Sequence, residues 1–270
     1  VEGEALDIIA GTIPMDGDSK DSVKENVLKL LKEKYDIEED DFWSSELEIV
    51  PAGNAREAGF DRSMILGYGH DDRCCAYTSA LAMMNVESPL KTACGLFVDK
   101  EEIGSVGATG MRSAFFEDTL REILDRMGIY SELNLRRVLR GSRMLSSDVS
   151  AAYDPLYADR FDKANAAQFG RGIVFNKYTG GRGKSGSNDA NAEYLGHLRK
   201  IFSDNNVMFQ SAELGKVDVG GGGTIAYILS LYGMEVVDSG IAVLSMHAPW
   251  EAVSKSDLYE AEKGYEAFLK

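Results

Sequence analysis

The sequence predicts an α/β fold in which a mixed, largely parallel sheet is sandwiched by helices. Two observations carry that expectation. Apolar runs of strand length, such as Gly172-Ile173-Val174-Phe175 and Ile241-Ala242-Val243-Leu244-Ser245, alternate with segments whose apolar residues recur at helical spacing. Acidic or imidazole groups then stand just after several of these runs, and open α/β sheets gather ligands beyond the carboxyl ends of their strands.

In chain order, residues 1–13 read as extended and Pro14-Met15-Asp16-Gly17-Asp18 as a turn. Ser22 and Glu25 have capping-box spacing and open a helix with Val23, Val27, Leu30, Leu31 and Tyr35 on one face. A strand is expected over 47–50, closed by Pro51, and then a loop over 51–64. Beyond Gly69-His70-Asp71-Asp72-Arg73, a helix should turn Cys74, Tyr77, Ala80, Leu81 and Met84 inward. The run 93–98 is apolar enough for a buried strand, and a helix over 111–127 should bury Phe115, Phe116, Leu120, Ile123, Leu124 and Met127 before Gly128 stops it.

A short strand over 144–148 ends in a carboxylate, and 172–175 is a second strand. Residues 179–188 read as a flexible loop. The Gly183-Lys184-Ser185 within it lacks the spaced first glycine of a phosphate loop, so nucleotide binding is not expected there. A helix over 191–202, a strand over 207–210, a helix opening at Thr224 after four glycines, strands over 235–237 and 241–245, and a last helix capped near Ser254 complete the chain.

Composition narrows the function. The 270 residues suffice for one large domain or two smaller ones, and 44% hydrophobic with 27% charged residues is ordinary for a globular protein. A net charge of −15 argues against nucleic acid as a partner, and no apolar stretch reaches the roughly 20 residues of a membrane span. Cys74, Cys75 and Cys94 form neither a disulfide framework nor a C-x-x-C zinc pair, so they read as small core residues in a reducing, cytoplasmic setting.

The chemistry centres on Asp99-Lys100-Glu101-Glu102-Ile103-Gly104-Ser105. Three carboxylates crowded at the end of an apolar run cost free energy unless cations sit among them. Asp71, Asp148 and His247 also follow apolar runs, and such a collection at one sheet edge is a metal constellation. His70 reads as structural or supporting, and His197 as a surface residue.

Five pieces in order, GHDDR (69–73), VDKEEIGSVGA (98–108), LSSD (145–148), VDVGGGGTIA (217–226) and LSMHAPWE (244–251), resemble the aminopeptidase I / aspartyl aminopeptidase family of dinuclear zinc metallopeptidases. The resemblance runs from about residue 46 to the C-terminus and implies a zinc-exopeptidase-like fold. By that resemblance, Asp71 bridges two divalent cations (zinc foremost, cobalt or manganese accepted), Asp148 completes one position, and Glu102 with His247 the other. Glu101 is the general base toward the attacking water, and Asp99 orients a ligand from behind. Gly222, Gly223 and Thr224 present backbone N–H groups to the substrate at a helix N-terminus, with a close-packed turn as the alternative. The partners implied are a peptide with a free N-terminus and further copies of the chain, as dimers assembling into a larger particle.

The resemblance is incomplete. The family carries an H-x-D ligand segment and an inserted dimerisation domain that lends a histidine to its neighbour, whereas the first histidine here is His70. The expectation is that 1–45 is the tail of that inserted domain, that 46–270 is the C-terminal part of the catalytic domain, and that N-terminal strands are missing. Such a chain would be poorly active alone. A non-catalytic scaffold or assembly subunit is the alternative, and an acidic substrate side chain would draw on Arg56, Arg73, Lys177 or Lys184.

Overall fold

The computed structural model describes residues 7–182, 185–216, 218–219 and 221–270. It divides into two compact units, Val1–Val50 and Pro51–Lys270.

The first unit is built on helix α1, Ser22–Tyr35. The expected capping box does not form: Glu25 accepts from Ser19 Oγ at 2.7 Å, and Asp21 takes the N-cap position. Lys32 closes the last turn on Asp36 at 2.6 Å and Glu38 at 2.7 Å, where a cation also meets the negative end of the helix dipole. Residues 47–50 form no strand. No strand among the described residues pairs with them, and Leu47 and Ile49 are exposed.

The second unit contains helices α2 (His70–Asn85), α3 (Phe115–Arg126), α4 (Glu132–Arg140), α5 (Ala192–Asp204), α6 (Ala226–Ser230) and α7 (Lys255–Leu269). Its strands are β1 (Arg56–Ala58), β2 (Met64–Gly67), β3 (Arg143–Ser146), β4 (Ser150–Ala151), β5 (Ile173–Asn176), β6 (Tyr178–Gly181), β7 (Ser185–Asp189), β8 (Phe209–Ala212), β9 (Glu235–Gly240), β10 (Ala242–Leu244) and β11 (Glu251–Ser254). They form a five-stranded sheet in the order β1-β2-β11-β10-β4, a four-stranded sheet β3-β9-β5-β8, and the hairpin β6-β7.

The fold is mixed α/β as expected, with a smaller parallel share than "largely" implies: β10/β4, β3/β9 and β5/β8 are parallel, as is an isolated bridge between Ala152 and Ala167, and the other strand pairings described are antiparallel. In the five-stranded sheet β11 lies between β2 and β10 and runs antiparallel to both, so its first residue stands where each neighbour ends.

The main core lies between sheet and helices. Phe175 on β5, Phe202 on α5 and Phe209 on β8 pack with ring centroids 5.1–5.9 Å apart. A fully buried side chain of that class contributes about 1.5–3 kcal/mol. Helix α2 packs on α7 through Cys74, Cys75, Thr78 and Ala82. Small residues let two helices approach closely, which rotates the buried face by about one position from the expected one and leaves Tyr77 and Met84 exposed. Behind this contact a chain of hydroxyls runs from Ser79 Oγ to Ser147 Oγ (3.0 Å), from Ser147 Oγ to Tyr265 Oη (2.9 Å), and from Tyr265 Oη to the Ser239 carbonyl (2.5 Å).

Other expectations are corrected by pairing and burial. The loop expected over 51–64 holds for 51–55, but Arg56 onward forms the β1–β2 hairpin; Arg56-Glu57-Ala58 shows no alternation that could announce a strand. The run 93–98 joins no ladder among the described residues. Leu96 and Val98 pack beside Met111 while Cys94 is exposed, so Cys94 is no core residue. Helix α3 starts at Phe115, with Phe115, Ile123 and Met127 exposed. Helix α4 goes unannounced by its apolar count, although Ser131 caps it by accepting from Asn134 N at 3.1 Å and Leu135 and Leu139 are buried.

The glycine-rich 179–188 stretch is mostly the β6–β7 hairpin, held by Asn188 Nδ2 donating to the Val236 carbonyl at 3.0 Å. Gly183 and Lys184 lie outside the described residues. Helix α6 starts at Ala226, not Thr224.

Candidate metal centre

Three chain segments converge on one cleft. Strand β2 ends at Gly67, and Gly69, in the left-handed region at φ 70°, turns the chain into α2. In the first turn of α2, Asp71 and Asp72 lie outside helical φ/ψ. Strand β10 ends at Leu244 and delivers His247, itself at φ 63°. Glu101 and Glu102 sit in a 3-10 turn, Glu101–Ile103, between left-handed Lys100 and Gly104.

His247 Nε2 stands 2.9 Å from Asp71 Oδ2 and 3.4 Å from Glu102 Oε1. Asp71, Glu102 and His247 each offer a donor atom within 4.8 Å of the others, and so do Asp71, Asp72 and Asp148. Asp71 belongs to both groups. The cleft, about 320 Å³, is lined by Tyr68, Asp71, Arg73, Glu102, His247 and Glu251 among others. One imidazole nitrogen with two carboxylate oxygens is a donor set that suits zinc, and the second group offers oxygen only, which suits harder divalent cations as well.

The charges report the same crowding. Burial, then the Glu102 carboxylate, raises Asp71 to about 6. Burial and the same neighbour raise Glu101 to about 7. Burial, then Asp238, pushes Asp148 well above the usual range, and burial holds Asp238 itself at about 6. In the metal-free protein the native state thus keeps protons that the unfolded chain has already released near pH 4. Their contribution to stability is fully present below about pH 4, the unfolded value, and is lost progressively as pH rises from there through the folded values of about 6–7. Metal-free protein is expected to melt about 5 °C higher at pH 5 than at pH 8 in calorimetry, with half-exposed Glu101 discounted for solvent screening. Saturating zinc should remove the difference, because cations then take the place of the protons.

The remaining candidates divide. Asp99 turns to Thr109 Oγ1 at 3.4 Å and Lys100 Nζ at 3.5 Å and joins none of the acidic clusters among the described residues, so its orienting role has no contact behind it. Gly222 accepts from Gly180 N at 2.9 Å, Gly223 lies against Gly186, and buried Thr224 bonds to Asp238. These contacts match the close-packed alternative rather than a helix N-terminus; Gly220 lies outside the described residues. Of the basic candidates, Arg56 covers the Trp250 ring, Lys177 pairs with Asp189, and Arg73 lines the cleft. His70 Nε2 is buried at the start of α2, and His197 faces Arg143 at 2.9 Å.

Three acids escaped the sequence reading, Asp72 of the second donor group among them. Asp238, inside the apolar run of β9, is 1% exposed and accepts from Thr179 Oγ1 at 3.2 Å. Glu251, the first residue of β11, is 2% exposed. For Asp238 a carboxylate inside an apolar run was the available signal; Glu251, at the start of its strand, had none.

A family model described as aminopeptidase I zinc metalloprotease (M18) matches residues 2–269. The chain belongs to the M18 family. This M18 chain is 61% identical over 270 residues to a probable M18 family aminopeptidase 1 of Clostridium acetobutylicum, covering all of this chain and 58% of the relative. The crystal structure of aminopeptidase I from Clostridium acetobutylicum superimposes with a TM-score of 0.91 at 60% identity, over 100% of this chain and 58% of that one. The M18-family aminopeptidase structure from Thermotoga maritima gives 0.93 at 46% identity, over 97% and 58%. The chain thus spans somewhat under two thirds of the length of these relatives.

Proposed function

We propose that the protein is a metal-dependent aminopeptidase that removes N-terminal residues from peptides, with zinc as its metal. The observation that carries this reading is the convergence of Asp71, Glu102 and His247 from three separate segments, with Asp71 shared by a second acidic group that includes Asp148. Glu102 and His247 would hold one divalent cation, Asp148 a second, and Asp71 both. When bound, the pair supplies Lewis-acid charge that acidifies water and neutralises a developing oxyanion. Glu101, raised to about 7, accepts a proton from the attacking water and returns it to the leaving amine as the peptide C–N bond breaks. The acidic cleft attracts a protonated amino terminus, which makes the action exo. Membership in a zinc metalloprotease family supports the same reading. We further assign the active form to a homo-oligomer of dimers in the cytoplasm.

The test is peptidase turnover of the complete assembly on unblocked and N-acetylated peptides after chelation and after zinc is restored. Hydrolysis of unblocked peptides alone, lost with chelator and regained with about two zinc equivalents per chain, is the expected result. A folded protein that takes up no zinc would instead be a scaffold subunit.

A further inference from the structure

The carboxylate of Glu251 bonds the backbone of two candidate ligands at once. Its Oε2 accepts from Asp71 N at 3.0 Å and its Oε1 from His247 N at 2.8 Å. The sheet explains how one side chain reaches both. Glu251 pairs with Gly67, the last residue of β2, while Leu244, the last of β10, pairs with Ala252. Glu251 therefore stands one step past the end of β10 and level with the end of β2, between the two exits that lead to His247 and Asp71.

A buried carboxylate at this place is costly for folding alone. It is 2% exposed and pairs with no Lys or Arg among the described residues, so the two amide donors are what offset its desolvation. An apolar residue would serve the sheet edge better. His247 also sits at φ 63°, a conformation that a side-chain-bearing residue keeps only when its surroundings hold it. We infer that Glu251 is a positioning residue whose two oxygens set the separation between Asp71 and His247, and with it the affinity of the first cation position. The inference rests on the aminopeptidase reading for its purpose, though not for its geometry.

Two variants test it in the full protein. Glu251→Gln keeps the size but turns an amide donor toward one of the two backbone N–H groups, and Glu251→Asp keeps the charge but is too short to span both. In metal-free protein, hydrogen exchange at the Asp71 and His247 amides should speed up in both variants. Zinc dissociation constants from chelator competition should rise about 10–100-fold. At limiting zinc, kcat should fall and recover with excess zinc, with KM for peptide unchanged within about twofold. Native zinc affinity in a folded Glu251→Gln protein would overturn the inference. Should that variant not fold, native affinity in Glu251→Asp would overturn it equally, since charge alone would then suffice. A merely structural role would lower the melting temperature and leave zinc affinity intact. Zinc binding that depends on Glu251 in a protein without peptidase activity would sink the functional reading and leave this one standing.

Discussion

Replacing Glu101 by Gln should lower kcat about 10³-fold while zinc content stays near that of the parent protein. The Glu101 carboxylate belongs to none of the candidate donor groups, so cation binding does not depend on it. Its raised affinity for a proton, which comes from burial and from the Glu102 and Asp71 charges, is what a base working near neutral pH requires. A carboxamide of the same size fills the same space and takes up no proton. Metal analysis beside a steady-state assay decides the matter; turnover within about tenfold of the parent would move the base elsewhere.

Asp71→Asn should have the larger effect on metal. Its carboxylate is 8% exposed and belongs to both donor groups, so one neutral oxygen replaces a charge that two cations would share. Zinc should be lost from both positions and turnover should fall to background. The backbone N–H of residue 71 still bonds to Glu251, so the fold should persist. Metal-free Asp71→Asn should even melt above the metal-free parent at pH 8, because a buried group held near 6 no longer has to ionise. Retention of two zinc equivalents would show that Asp71 is not shared.

The strand ends were legible because charged groups following apolar runs stand out, as Asp148 does after β3 and His247 after β10. The long amphipathic helices α5 and α7 were legible for the same reason of contrast. What stayed hidden depended on partners distant in sequence. Arg56–Ala58 is a strand only because Met64–Gly67 lies beside it, and 93–98 is not one because nothing described pairs with it. Glu251 closes the 244–251 motif, yet nothing local reveals that its neighbours on both sides of the sheet lead to Asp71 and His247.

The linked hydroxyls of Ser79, Ser147 and Tyr265 bear on how the loop carrying Asp148 responds to solution conditions. Each donates once in the same sense, ending on the Ser239 carbonyl, so α2, the Asp148 loop, α7 and β9 are tied by neutral groups. Salt weakens exposed ion pairs but has little hold on a relay of uncharged hydroxyls. Ionic strength should therefore alter how the cleft attracts charged molecules and leave the backbone beneath Asp148 where it is.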